Sequence, residues 1–183
     1  MRTFVAVFPP PEVRETLAEA ARDLPVVGKV RLTAPANLHL TLKFLGDVPE
    51  DGLDRVAAAL DSMRERHEPF EAQISAFGAF PSPRRARILW AGIGEGADRL
   101  RALARDVEGC LEPLGFEREA RTYLPHRTVG RARGRPVTLE AAETPLPMPG
   151  FLVGHVELVE SLLDKAGATY STLATYPLSE SRD

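Results

Sequence analysis

The spacing of apolar positions changes along the chain, and each change marks an element. Thr3 to Phe8 is a short β-rich run closed by Pro9, Pro10 and Pro11. Val13, Leu17, Ala20 and Leu24 recur at helical spacing and predict a helix to about Asp23. Asn37 to Leu45 reads as a strand that ends at Gly46. Leu53, Val56, Ala57, Leu60 and Met63 predict a second helix, with Asp51 as its cap. Phe70 to Phe80 and Ala86 to Ile93 read as two strands joined by the turn-rich Pro81-Ser82-Pro83-Arg84-Arg85. Leu100, Leu103, Val107, Cys110, Leu111 and Leu114 predict a third helix, stopped by Gly115.

The last third differs. Tyr123 to Ala132 reads as a strand. Residues 134–150 are proline-rich, with at most a short helix around Leu139 to Glu143. Phe151 to Leu163 and Thr169 to Leu178 read as strands separated by the turn Asp164-Lys165-Ala166-Gly167. Strands and helices mix without a steady βαβ rhythm, which favours an α+β fold with largely antiparallel sheets.

Composition narrows the class. With 183 residues, of which 44% are apolar, the chain can bury a real core as one domain or as two small lobes. No apolar run approaches the roughly 18 residues of a membrane helix, and the N-terminal apolar stretch is too short for a signal sequence. The single cysteine, Cys110, excludes an internal disulfide and a Cys-rich zinc site, and a cytoplasmic location is expected. A net charge of −3 argues against coating duplex nucleic acid and leaves room for a local basic cleft. Arg84, Arg85 and Arg87 form one basic cluster; Arg127, Arg131, Arg133 and Arg135 form another.

Two of the four histidines open the same pattern. His39-Leu40-Thr41-Leu42 and His126-Arg127-Thr128-Val129 start 87 residues apart, close to half the chain. With eleven threonines in the sequence, two His-x-Thr matches arise by accident in roughly 2% of cases. Alternation puts His39, Thr41 and Lys43 on one strand face and Leu38, Leu40, Leu42 and Phe44 on the other, the core face. His126 and Thr128 share a face by the same argument. Two such strands facing one cleft would offer two imidazoles to trade protons and two hydroxyls to hold phosphoryl oxygens. His67 reads as an exposed helix-end residue, His155 has no companion threonine, and Cys110 falls on an apolar helical stripe. Residues 92–97 fit the loose G-x-G-x-x-A form of a dinucleotide loop, but a plain glycine-rich strand-to-helix connection is the better reading. No metal-ligand spacing appears, so neither metal nor cofactor is expected.

These residues resemble the 2H phosphoesterase superfamily, and in particular its bacterial and archaeal RNA 2′,3′-cyclic phosphodiesterases, first called 2′-5′ RNA ligases. The resemblance rests on Asn37 to Gly46, on Gly78 to Arg85 with Ile88-Leu89-Trp90, on Pro125-His126-x-Thr128-x-x-Arg131, and on Val156-Glu157-Leu158 with Ser161 and Tyr170. It implies one domain over 1–183, made of two lobes. Each lobe would hold an antiparallel sheet flanked by helices, the two related by a pseudo-twofold axis around an active cleft. It implies metal-free hydrolysis of RNA 2′,3′-cyclic phosphate ends to 2′-phosphomonoesters. By motif position, His39 would be the proton donor to the 3′ oxygen and His126 the base. Thr41, Thr128 and Arg131 would bind the phosphoryl group.

The family usually carries an apolar residue where this chain has Arg127, so that strand is expected either to be half exposed or to let Arg127 snorkel to an edge. Arg131 reaches the catalytic face only if a bulge intervenes, for which Gly130 is the expected site. The competing readings are 2′-5′ ligation by the reverse chemistry, and a non-catalytic module that binds RNA ends or nucleotides. The partners expected are RNA ends or nucleotides bearing the cyclic phosphate, with no membrane, no protein partner and a monomeric chain.

Overall fold

The computed structural model describes residues 1–140, 142, 148–163 and 167–179. The elements in chain order are β1 (Arg2–Val7), α1 (Pro11–Arg22), β2 (Val26–Val27), β3 (Val30–Leu32), β4 (Leu40–Asp47), α2 (Leu53–Met63), β5 (Phe70–Phe80), β6 (Ile88–Ile93), α3 (Ala97–Leu111), β7 (His126–Ala132), β8 (Thr138–Leu139), β9 (Gly150–Val153), β10 (His155–Leu163) and β11 (Ala168–Pro177). A four-stranded sheet has the order β11-β10-β1-β4, and a five-stranded sheet the order β3-β7-β6-β5-β9. The pairings between these strands are antiparallel, as is the small β2-β8 ribbon. The α+β class with antiparallel sheets is therefore the observed architecture.

One continuous apolar core runs under both sheets and the helices. It takes Val5 and Leu40 from the four-stranded sheet, Ile74 and Leu89 from the five-stranded sheet, and Leu17, Leu60 and Leu103 from the three helices. A smaller cluster of Phe4, Ala6 and Val159, flanked by Phe8 and Tyr170, sits apart from it. Phe4, Ala6 and Phe8 follow the period of two along β1, so this cluster lies on the opposite face of the four-stranded sheet.

Several expected boundaries move for local reasons. The run expected as one strand from Phe151 to Leu163 breaks at Gly154. The part before it pairs with β5, and the part after it pairs with β1. The chain changes sheets there. Asp51 does not cap α2: it lies in a single 3₁₀ turn, Glu50–Gly52, and the cap position has no side-chain bond. Pro35–Asn37 forms another such turn, so β4 starts at Leu40, and it runs past Gly46 to Asp47. Leu139, where a short helix was expected to begin, instead ends the two-residue strand Thr138–Leu139. Residues 141 and 143 of that stretch, and 164–166 of the expected turn, lie outside the described residues.

A bulge in β4 overturns one expectation. Val5 pairs with Lys43 and Ala6 with Thr41, which leaves Leu42 without an opposite residue. The extra residue reverses the alternation beyond it. Leu38, Leu40 and Leu42 are buried as expected, but Lys43 turns inward at 4% exposure and Phe44 outward at 64%. Lys43 donates to the Glu108 carboxylate at 2.8 Å and to the Glu117 carbonyl at 2.7 Å. It thus pins α3 and the following loop to β4 and takes no place beside His39.

Candidate active site

His39 stands just before β4. Its Nδ1–H donates to the Asn37 carbonyl at 2.9 Å, and its Nε2 meets the Thr41 hydroxyl at 3.0 Å. A carbonyl can only accept, so in the neutral imidazole Nε2 carries the lone pair and the threonine donates. Phe4, Phe8 and Tyr170 surround the ring at centroid distances of 4.8, 5.2 and 5.1 Å. Burial in this aromatic cage, and then the positive charge of Arg127, pull the His39 pKa down to about 4, against the raising effect of the bond to Asn37.

His126 opens β7, and its Nδ1–H donates to the Leu124 carbonyl at 2.6 Å. Each motif therefore ties its histidine to the carbonyl two residues before it and leaves Nε2 as the working atom. The edge of Phe80 meets the His126 ring at 5.3 Å, and Trp90 stands 6.3 Å away. Thr128, two residues on, shares the His126 face.

The expected bulge is present. Trp90 pairs with Thr128 and Leu89 with Gly130, which leaves Val129 unmatched. Arg131 then stands opposite Ile88, on the face of Trp90 and Thr128. Gly130 is required there, because a Cβ would sit 2.8 Å from Val30 Cγ1 on β3. Burial pushes the Tyr170 phenol up, opposed by the charges of Arg131 and Arg2. Strands β4 and β7, which follow and carry the two histidines, touch at the seam between the sheets.

Arg127 points the other way. It is 1% exposed, and its Nε, Nη1 and Nη2 have no hydrogen-bond partner. It neither lies half exposed nor snorkels to an edge. Burial, reinforced by the charge of Arg14, lowers its pKa well below the usual arginine range. The sequence pattern placed it on the core face; nothing in the pattern indicated that it would stay there unpaired.

The remaining candidates have structural duties. His67 is not a free helix-end residue: it bonds the Asp106 carboxylate at 2.7 Å, beside Arg66 at 3.0 Å. His155 pairs with Glu157 at 3.1 Å. Cys110 is half-buried, and burial raises its thiol pKa, which disfavours a thiolate. Strand β6, which precedes residues 92–97, has antiparallel neighbours on both sides, unlike a dinucleotide fold. A Cβ on Gly96 would lie 2.5 Å from the Glu71 carbonyl, so that glycine serves close packing. Apart from the buried Arg127, the two arginine clusters lie on backbone that meets at one end of the five-stranded sheet. Ala86 bridges Val137, and the Ala132 amide donates to the Arg87 carbonyl at 2.9 Å. Among the described residues, no three His, Cys, Asp or Glu side chains converge as a metal site. No described helix is long and apolar enough to cross a membrane.

The model of the LigT-like phosphoesterase family matches residues 7–90. The RNA 2′,3′-cyclic phosphodiesterase of Archaeoglobus fulgidus is 33% identical over 181 residues, which is 96% of this chain and 99% of the relative. The chain belongs to the LigT-like phosphoesterase family. The enzyme of the same name from Methanothermobacter thermautotrophicus is also 33% identical, over 97% of this LigT-like phosphoesterase and 99% of the relative. A crystal structure from Thermus thermophilus superposes with a TM-score of 0.79 at 30% identity, covering 97% of this chain and 98% of its own. E. coli LigT, 24% identical with a TM-score of 0.81 over 98% of both chains, has the same fold.

Proposed function

We propose that this LigT-like phosphoesterase hydrolyses RNA 2′,3′-cyclic phosphate ends to 2′-phosphomonoesters by acid and base catalysis from His39 and His126. The observation that carries the reading is the matched pair of histidines at the starts of two touching strands, each with Nδ1 tied to a backbone carbonyl and Nε2 left for proton transfer, at His39 once Thr41 releases it. Near-full-length relatives named RNA 2′,3′-cyclic phosphodiesterase support the substrate class.

Water attacks phosphorus in line with the 3′ oxygen. The P–O3′ bond breaks, its electron pair stays on O3′, and a proton must reach that oxygen as another leaves the water. We assign the base to His39 and the acid to His126, the reverse of what the family resemblance implies. Support comes from the aromatic cage and the Thr41 bond, which hold His39 neutral with its Nε2 lone pair directed at a donor. Thr41 and Thr128 hydroxyls and the Arg131 guanidinium hold the phosphoryl oxygens. The merged arginine clusters offer contacts to phosphates further along the RNA.

The test is to incubate the pure protein with an oligonucleotide ending in a 2′,3′-cyclic phosphate and to identify the product. A 2′-phosphate, formed at an unchanged rate after exhaustive EDTA treatment, is expected. A 3′-phosphate product, or activity lost to EDTA and restored by zinc or manganese, would overturn the two-histidine mechanism.

A further inference from the structure

The outer end of the β10–β11 hairpin projects past the rest of its sheet. Strand β1 accompanies β10 only as far as Glu160, opposite Thr3. The next rungs, Ser161 with Tyr170, Leu162 with Thr169 and Leu163 with Ala168, belong to the hairpin alone among the described residues. Two strands by themselves are marginally stable in water. Yet this end carries Tyr170, one wall of the cage around His39. A side chain from far along the chain ties it down: Nδ2–H of Asn37 donates to the Ala168 carbonyl at 2.7 Å. Asn37 ends the 3₁₀ turn before β4, and β4 and β11 are the opposite edges of the four-stranded sheet. Arg31 of β3 also lies against the neighbouring Gly167. The carbonyl of the same Asn37 accepts the Nδ1–H of His39 at 2.9 Å. One residue thus bonds both the imidazole and the segment that covers it.

We propose that Asn37 is a positioning residue of the hydrolysis: by bonding the hairpin end with its side chain and His39 with its backbone, it keeps Tyr170 closed on the imidazole. This role rests on the phosphodiesterase reading. Tyr170 stands edge-on to His39 at 5.1 Å and 89°, and packs on Phe4 at 5.1 Å. A loosened hairpin end would admit water on that side. The protonated imidazole gains most from water, so an opened cage would let His39 take up a proton more readily and lose its lone pair. The charged groups around the ring stay in place when Asn37 is changed. They are Arg127 on β7, Arg14 on α1 over the Phe8 ring, and Arg131 and Arg2, whose charges act on Tyr170. Glu157 on β10 is engaged with His155 and Thr172.

Asn37→Ala removes the side-chain bond and keeps the carbonyl that His39 uses. In this variant the His39 ring, followed by NMR without substrate, should titrate a unit or more above the wild-type midpoint of about 4. The acid limb of kcat/KM for adenosine 2′,3′-cyclic phosphate should move with it. A limb raised to about 5.5–6 should cost roughly 4- to 10-fold more rate at pH 5 than at pH 8. Tyr170→Ala, with Asn37 intact, should show the same displacement, and the double variant no further one, because both changes open one wall. An Asn37→Ala variant whose His39 titrates as in the wild type, whatever its rate, would overturn the bridge. A shifted midpoint with an unmoved limb would take Asn37 out of the reaction. Wild-type protein that leaves the cyclic phosphate intact would instead overturn the phosphodiesterase reading, while the NMR midpoints would still decide whether Asn37 holds the cage closed.

Discussion

Thr41 donates its hydroxyl to Nε2 of His39 across 3.0 Å, so the resting site already occupies the lone pair that catalysis needs. A bound phosphoryl oxygen is the stronger acceptor, and turning Thr41 toward it frees Nε2. Thr41→Val keeps the shape and removes the hydroxyl. A hydrogen bond to a charged group contributes about 1.5–3 kcal/mol, so kcat/KM should fall by roughly 10- to 150-fold. Thr41→Ser should recover most of it. A valine variant with wild-type kcat/KM would mean that Thr41 only props the ring.

Arg127→Met should raise the His39 pKa, read by NMR titration of the ring protons, because the second-largest cause of its depression is removed. The same variant should be at least as stable to urea as the wild type. It exchanges an unpartnered buried guanidinium for an apolar side chain of similar reach. A large loss of stability with no change at His39 would show that Arg127 has a partner the hydrogen-bond geometry does not reveal.

His39 also sets a pH dependence of folding. Its pKa is about 4 in the folded chain and about 6.5 when unfolded, so between those values the unfolded state binds more protons. Stability is therefore fully present above about pH 6.5 and declines as pH falls toward 4, by about 3 kcal/mol in all. Asp106 and Glu157, also depressed, add losses in acid that a His39→Gln variant shares with the wild type. Urea melts at pH 4, 5, 6 and 7 should show the wild type losing more stability than His39→Gln across this window. Parallel curves would place His39 in solvent.

Much of this was legible in the sequence. The His-x-Thr repeat put each histidine and its threonine on one face, because a period of two sets residues i and i+2 together wherever no bulge intervenes. Bulges are where that reasoning divides. Gly130 signalled the one that turns Arg131 to the site, since only a residue without Cβ fits against Val30. The bulge at Leu42 carries no such residue, so Lys43 and Phe44 exchange faces without warning. The cage around His39 was half visible in the alternation of Phe4 and Phe8. Tyr170 reaches it from the far end of the chain, which local spacing cannot reveal.

The merged arginine clusters predict a salt dependence that grows with RNA length. A mononucleotide engages only the site, whereas a ten-residue oligonucleotide can lay two to four further phosphates along Arg84, Arg85, Arg87 and Arg133. Each such contact adds about −0.7 to the log–log slope of affinity against salt. The oligonucleotide slope should thus be steeper by about 1.4–2.8 units, and Arg84→Ala with Arg85→Ala should remove part of the difference. Equal slopes for the two ligands would confine binding to the terminal phosphate.

The division of labour between the histidines can be read from the leaving group. Either alanine substitution should cost about 10²–10⁴ in turnover, and the double variant should be little worse than the poorer single one, because the pair serves one transition state. A substrate whose leaving oxygen is far more acidic than a ribose hydroxyl needs little help from an acid and as much as before from a base. With His126 as the acid, such a substrate should restore much of the rate of His126→Ala and little of that of His39→Ala. The cage supports this assignment: an imidazole kept neutral among Phe4, Phe8 and Tyr170 holds a lone pair at neutral pH and has no proton to give. Rescue of His39→Ala alone would return the acid to His39. It would also mean that the bound phosphate's negative charge lifts that imidazole's pKa far enough to protonate it before phosphorus is attacked.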